Sequence, residues 1–219
     1  MEETATTLVC DRWPLPLKQG RGGFYAYLKT ASAKNAACFL HLASDLPTGL
    51  HVVEHFGGVG QFGTIIQQAI HPRRHLIFDI DTDCVAQLKS AFAQSPNVHA
   101  GFGDAKELMG NVEADLVVLD FPMATIKHHS EWPWQRVMET HPRYIIWSDT
   151  ALRRLGLHRA TYTKLFGSPI HSHEDYVQAY SRFMWITYGY SITREAHHVY
   201  SYFRAEPCVM PAPIELHHV

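Results

Sequence analysis

The chain has 219 residues, of which 46% are hydrophobic, 12% aromatic and 18% charged. That balance excludes an intrinsically disordered chain and suits one globular domain with at most a small appendage. The formal net charge of −2 gives no global basic field directed at nucleic acid, although a local patch stays open.

Four cysteines, Cys10, Cys38, Cys84 and Cys208, are scattered without a CxxC pair, so no zinc signature or dense disulfide framework is expected. The start Met1-Glu2-Glu3 is acidic where a signal peptide would be basic. The apolar stretches are far too short to span a bilayer. Together these give the expectation of a cytoplasmic protein with no membrane partner. The 16 histidines include His128-His129, His197-His198, His217-His218 and His171-Ser172-His173. No HExxH or zinc-type spacing accompanies them, so no metal site is expected.

Taken in order, residues 1–22 hold Pro14 and Pro16 and lead into Gly20-Arg21-Gly22-Gly23, which reads as an irregular arm. Residues 24–45 are rich in alanine and leucine and predict a helix that ends at Pro47-Thr48-Gly49. A strand is predicted at 50–54, a helix at 63–70 and a second strand at 75–79. Next come a helix over 82–93 with Thr82 as its cap, a weak strand at 97–100 and a short helix at 105–109. Residues 115–120 (DLVVLD) give the clearest strand, apolar through its middle as a parallel strand buried on both faces would be. Residues 143–147 predict a fifth strand, and 151–166 and 174–187 predict helices. Two alternating segments, 190–196 and 199–205, read as an antiparallel hairpin. The fold class is therefore α/β: a Rossmann-like, doubly wound, mostly parallel sheet closed by a C-terminal hairpin. The organisation expected is an arm and helix over 1–49, a core over 50–205 and an extended tail over 206–219.

Two motifs carry chemistry. The loop 54–63 contains Gly58-x-Gly60-x-x-Gly63 directly after a strand and at the opening of a helix. Glycines there allow a tight turn and close backbone approach to a ligand, and free N–H groups at the helix start favour an electron-rich group. Asp79 follows about twenty residues on, where a Rossmann fold sets a carboxylate on ribose hydroxyls. Asp81 and Asp83 crowd the same turn, and at least one is expected to cap the following helix. This much fits a nicotinamide enzyme as well.

Glu54 immediately before the glycines, Gly103-Asp104-Ala105 after the third strand and Asp120-Phe121-Pro122 after the fourth tip the balance. Together they resemble the S-adenosylmethionine (SAM)-dependent methyltransferases with a Rossmann-like core, over about residues 50–205. Glu-x-Phe-x-Gly-x-Gly-x-x-Gly is most similar to the loop of small ribosomal RNA guanine methyltransferases and their DNA-adenine relatives. The resemblance implies a cofactor site built from Glu54, Phe56, Gly57, Gly58, Gly60, Gly63, Asp79, Ile80, Asp104 and Ala105. In it Glu54 lies near the methionine amino group, and Gly58 and Gly60 lie beneath the methionine and ribose. Asp79 binds the ribose hydroxyls, Asp104 accepts from the adenine amino group, and Phe78, Ile80 or Phe102 packs on the adenine. It implies a catalytic set of Asp120, Phe121 and Pro122 in the place of the family's Asp-Pro-Pro-Tyr, whose acid and adjacent carbonyl hold the amino group being methylated. Here Phe121 replaces the first proline, and Met123 stands where the family stacks an aromatic ring on the base. A strand-end cap is the alternative reading of Asp120.

The activity expected is SAM-dependent methyl transfer, with a nucleic-acid base amino group (RNA or DNA) as the favoured acceptor. A small-molecule or protein acceptor, or a domain that binds the cofactor without turnover, are the alternatives. Trp132-Pro133-Trp134 reads as a substrate lid or a surface plug. Arg153-Arg154, His158 and Arg159, and Lys18 and Arg21, could meet phosphates or lie on solvated faces. His128 and His129 would be candidate general bases for a hydroxyl acceptor. Tyr176, Tyr180, Phe183 and Met184 have the spacing of a helix face packed on a core.

Overall fold

A computed structural model of the chain describes residues 34–58, 60–120, 132–149, 155–197 and 201–208. Seven strands form one sheet: β1 (His51–His55), β2 (Arg74–Asp79), β3 (Val98–Phe102), β4 (Leu116–Asp120), β5 (Tyr144–Asp149), β6 (Tyr190–His197) and β7 (Ser201–Pro207). Their order across the sheet is β3-β2-β1-β4-β5-β7-β6. The pairings β3·β2, β2·β1, β1·β4 and β4·β5 are parallel, and β7 runs antiparallel between β5 and β6. The sequence reading of a mostly parallel sheet closed by an antiparallel hairpin therefore holds.

The helices are α1 (34–43), α2 (Gln61–Ala69), α3 (Thr82–Ala91), α4 (Ala105–Leu108), α5 (Trp132–Met138), α6 (Leu155–Phe166) and α7 (His173–Tyr188). Side chains alternate across the sheet. Val52, Leu116, Val118, Ile146 and Tyr202 therefore pack with Phe39 and Leu42 of α1 and Phe62, Ile65 and Ile66 of α2. Val117, Leu119, Ile145, Trp147 and Phe203 pack on the other face with Trp134 of α5, Tyr162 of α6 and Tyr176, Tyr180 and Met184 of α7. The segment before residue 50 thus contributes core side chains through α1, and Arg204 of β7 pins it further. Arg204 donates to the Leu42 carbonyl at 2.8 Å and pairs with Asp45.

Local chemistry sets the boundaries. Asp81, not Thr82, is the N-cap of α3, accepting from the Asp83 and Cys84 amides, and Thr82 is the first helical residue. Its extended backbone suits an aspartate cap as well as a threonine one. Ser172 caps α7 in a reciprocal box with Asp175, and Gly189 closes that helix in the left-handed conformation. Trp134 is a core residue rather than part of a lid or a surface plug: it is buried and meets Trp147 edge-to-face at 4.9 Å. A helix at 132–138 turns it onto the sheet. Tyr176, Tyr180 and Met184 are core residues as expected, with Phe183 packed at their margin. Strand β7 runs to Pro207, and the Cys208 amide donates to the Gly189 carbonyl at 2.7 Å. No helix among the described residues is long and apolar enough to cross a membrane.

Candidate active site

The parallel strands deliver a row of polar residues to their carboxyl ends, the edge at which open α/β sheets place ligands. Register puts His55 beside both Phe78 and Leu119, Asp79 beside Phe102, and Asp120 beside Ser148. Alternation then sets Glu54, Asp79, Asp120 and Ser148 on the face that carries α1 and α2, whereas His55 faces the α5–α7 side. Three acids thus share one edge and one face.

The glycine loop is built around this row. Its glycines do two different jobs. A Cβ on Gly57 would overlap Ile77 Cγ2, and one on Gly63 would press on Ile77, Phe92 and, at 3.3 Å, on Glu54 Oε2. At Gly60, whose φ is +89°, a Cβ would stand 2.9 Å from Phe92 and 3.0 Å from Leu88. These three let loop and helix settle on β1, β2 and α3. Gly58 differs: its φ is +51°, and a Cβ there would meet nothing within 4 Å among the described residues. Phe56 turns the chain out of β1 with a φ of 63°, a conformation uncommon outside glycine.

Asp79 locks the loop. Its Oδ2 accepts from the Gly58 amide at 2.8 Å, and its Oδ1 accepts from the Asp81 amide at 2.8 Å. Each oxygen retains a second lone pair. Beside it, Ile80 and Phe102 are 59% and 62% exposed, large apolar side chains flanking the ends of β2 and β3. Asp104 caps α4, its Oδ1 accepting from the Lys106 amide at 2.9 Å, and Ala105 is buried behind it.

Glu54 is 1% exposed, and neither of its oxygens has a hydrogen-bond partner among the described residues. His75 Nε2 lies 3.2 Å from its Oε2. Asp120 accepts from the Ser148 hydroxyl at 2.7 Å. Burial pushes the Asp120 carboxyl up to about 7; the Ser148 hydroxyl opposes that, and the neighbouring Glu54 and Asp79 charges add to it. Burial pushes the His55 imidazole down to about 4, keeping it neutral. Further along the edge, Tyr162 donates to buried Asp149 at 2.7 Å.

The structure therefore gathers Glu54, Phe56, Gly57, Gly58, Gly60, Gly63, Asp79, Ile80, Asp104, Ala105 and Asp120 at one edge. Phe121, Pro122, Met123, His128, His129, Arg153, Arg154, Lys18 and Arg21 lie outside the described residues. Arg159 is exposed on α6, reaching the His171 carbonyl at 3.3 Å. Ser148 and His75 were not expected as site residues, because His75 opens the apolar run of β2 after two arginines and Ser148 follows the run of β5, so each reads only as the boundary of a strand. Their signal is a polar residue at an inward-facing strand position.

Sheet order, the reversed seventh strand and the carboxyl-edge site define the fold of the Rossmann-like methyltransferases. No protein-family model matches the chain, and no curated protein matches it by sequence. Among solved structures, a candidate RNA methyltransferase of Pyrococcus horikoshii aligns with a TM-score of 0.63 at 13% identity, over 95% of this chain and 100% of that one. Magnesium protoporphyrin IX methyltransferase of Synechocystis PCC 6803, solved with bound S-adenosylhomocysteine (SAH), aligns with a TM-score of 0.59 at 17% identity, over 87% and 90% of the two chains. The ribosomal protein L11 methylase of Lactobacillus delbrueckii subsp. bulgaricus aligns with a TM-score of 0.52 at 12% identity, over 82% and 79%. These three differ in acceptor class.

Proposed function

We propose that the chain is a SAM-dependent methyltransferase whose acceptor is an amino group on a nucleic-acid base. The observation that carries the reading is the orphaned Glu54 carboxylate beneath a glycine loop, in line with Asp79 and Asp120 along one sheet edge. Three acids with no Lys or Arg paired to them among the described residues leave uncompensated negative charge, which a ligand bearing a sulfonium and an ammonium would complete.

The residues fit that cofactor. Open space above Gly58 leaves room for the ligand to lie on the loop. Glu54 has acceptor capacity for an ammonium, and Asp79 has lone pairs for two ribose hydroxyls. Ile80 and Phe102 offer apolar surfaces for an adenine, with Asp104 and the Ala105 amide at its edge. When bound, SAM supplies an electrophilic methyl group.

The protein's own task is to hold the acceptor in line with the methyl–sulfur bond. Asp120, fixed by Ser148, accepts a hydrogen bond from the acceptor and can take its proton, because its carboxyl titrates near neutral pH. That same capacity favours a second reading, a hydroxyl or other protonated acceptor on a small molecule or protein. The free thiols of Cys38, Cys84 and Cys208 agree with a cytoplasmic setting. Methyl-labelled SAM incubated with the chain and, separately, RNA, DNA and cell extract tests the proposal. Label in a base amino group supports it, label elsewhere selects the second reading, and no transfer from SAM by folded protein overturns both.

A further inference from the structure

Glu54 is a buried carboxylate, and what holds it decides where its charge points. Behind it runs a chain of polar groups that starts at a main-chain carbonyl. The Pro72 carbonyl can only accept, and Asn97 Nδ2 donates to it at 2.7 Å. The same Asn97 nitrogen donates to Gln67 Oε1 at 3.1 Å, which fixes the Gln67 amide with its nitrogen turned away from Asn97. Gln67 Nε2 lies 3.0 Å from His75 Nδ1 and must be the donor. A ring nitrogen that accepts carries no proton, so in the neutral ring the proton sits on Nε2. Nε2 is the atom that faces Glu54 Oε2 at 3.2 Å. Every step in this chain has one permitted direction, set from the Pro72 end.

The local packing supports the arrangement. His75 and Glu54 project from adjacent strands onto the same face, His75 beside Val52 and Glu54 beside Ile77. Both are almost wholly buried. Gly63, with no side chain, leaves Glu54 Oε2 uncrowded, since a Cβ there would stand 3.3 Å from it. The Nε2–Oε2 contact lacks hydrogen-bond alignment, so both carboxylate oxygens keep open acceptor capacity.

We infer that His75 is a positioning residue: the Asn97–Gln67 relay fixes its tautomer so that the positive end of its Nε2–H dipole, 3.2 Å from Oε2 without a hydrogen bond, attracts the Glu54 carboxylate and leaves its oxygens to the α-amino group of the cofactor. The inference rests on the SAM-binding reading above and adds the determinant that selects the amino-acid end of the ligand. Adenine and ribose recognition, carried by Asp79, Ile80, Phe102 and Asp104, does not pass through His75.

The test compares two probes by calorimetry: SAH, and the SAH analogue in which hydrogen replaces the α-amino group. His75→Leu should weaken SAH binding about tenfold while changing the deamino analogue less than about twofold. His75→Gln, whose amide can donate to Glu54 and accept from Gln67, should restore SAH affinity to within about threefold. Gln67→Met, at a half-buried position on α2, removes the tautomer lock and leaves Asn97 its Pro72 acceptor; it should weaken SAH alone by about threefold, which keeps the test open if His75→Leu does not fold. Equal loss for both probes, or no loss of SAH affinity in either variant, overturns the positioning role. Absence of SAH binding by the unmodified chain overturns the SAM-binding reading and the relay together; binding that is indifferent to these variants overturns the relay alone.

Discussion

Ser148 Oγ donates to Asp120 Oδ1 at 2.7 Å, tying together the ends of β4 and β5 where two central strands meet the site. Burial pushes that carboxyl up to about 7 from an ordinary value of 3.8, with the Ser148 hydroxyl opposing the rise. A carboxyl whose folded value is raised binds its proton more tightly in the folded chain. Its contribution to stability is full below about pH 4 and is lost as pH rises through about 7, a change on the order of 4 kcal/mol. Asp120→Asn keeps an acceptor for Ser148 and removes the charge. It should therefore raise the melting temperature at pH 8 and leave it nearly unchanged at pH 4. His55 slopes the other way, its contribution being full above about 6.5 and lost as pH falls toward about 4, so the two groups partly cancel in the unmodified chain. Thermal melts of Asp120→Asn against the unmodified chain isolate the Asp120 part; parallel curves from pH 4 to pH 8 would contradict it.

The same hydrogen bond bears on turnover. Ser148 donates to the charged form of Asp120 and holds its titration down. Ser148→Ala should move the acid limb of the pH–rate profile upward, by roughly one unit, with SAH affinity changed little. If Asp120 holds the acceptor as proposed, Asp120→Ala should cut the methyl-transfer rate far more than SAM affinity. Retained transfer in a destabilised Asp120→Ala chain would make the residue a cap and nothing more.

Much of this was legible in the chain because strand ends are where apolar runs stop. The runs ending at Glu54, Asp79 and Asp120 each announce a buried strand, and the acid that closes each run announces its carboxyl end. The site's second layer was not legible. Ser148 lies 28 residues from Asp120, and Gly58 lies 21 from Asp79. Such pairings come from strand register, which no local pattern specifies. Trp134 was misread for a related reason: a Trp-Pro-Trp string shows no period until the helix around it is known. The choice of Asp81 over Thr82 as cap was open in the sequence, since both types cap and only the backbone conformation decides.

Asp79 has a structural duty beside any ribose contact, because it accepts the Gly58 and Asp81 amides. Asp79→Ala should lower stability by about 1–3 kcal/mol, as two amides lose a charged partner. SAM affinity should fall with it, by roughly 2–4 kcal/mol. Denaturant melts and calorimetry on one preparation measure both. Unchanged stability would show that the loop does not depend on Asp79.

The glycines should separate by experiment. Gly60→Ala meets Phe92 and Leu88 and needs a φ of +89°, so it should cost about 2–4 kcal/mol of stability. Gly58→Ala has open space and a φ of +51°, and should cost only about 1 kcal/mol. Its added methyl enters the space proposed for the ligand, so Gly58→Ala should lose most SAM binding while staying folded. Full affinity in folded Gly58→Ala would remove that face of the loop from the site.

Charge at the edge makes ligand binding and proton binding reciprocal. Asp120 holds its proton up to about 7 because it is buried and because Glu54 and Asp79 repel its ionised form. A fixed positive charge placed among these acids favours ionisation, so a cationic ligand should expel that proton on binding. Linkage then requires the ligand to bind more tightly as pH rises through about 7. SAM carries a sulfonium that SAH lacks, whereas both carry the same ammonium. The ratio of SAH to SAM dissociation constants should therefore grow between pH 6 and pH 8, by several-fold and at most about tenfold per unit. In Asp120→Asn the ratio should be flat, since no proton remains to be expelled. Calorimetry in two buffers of different ionisation enthalpy would count the proton released directly. A pH-independent ratio in the unmodified chain would mean that the sulfonium does not sit within reach of Asp120, and would move the methyl group away from the end of β4.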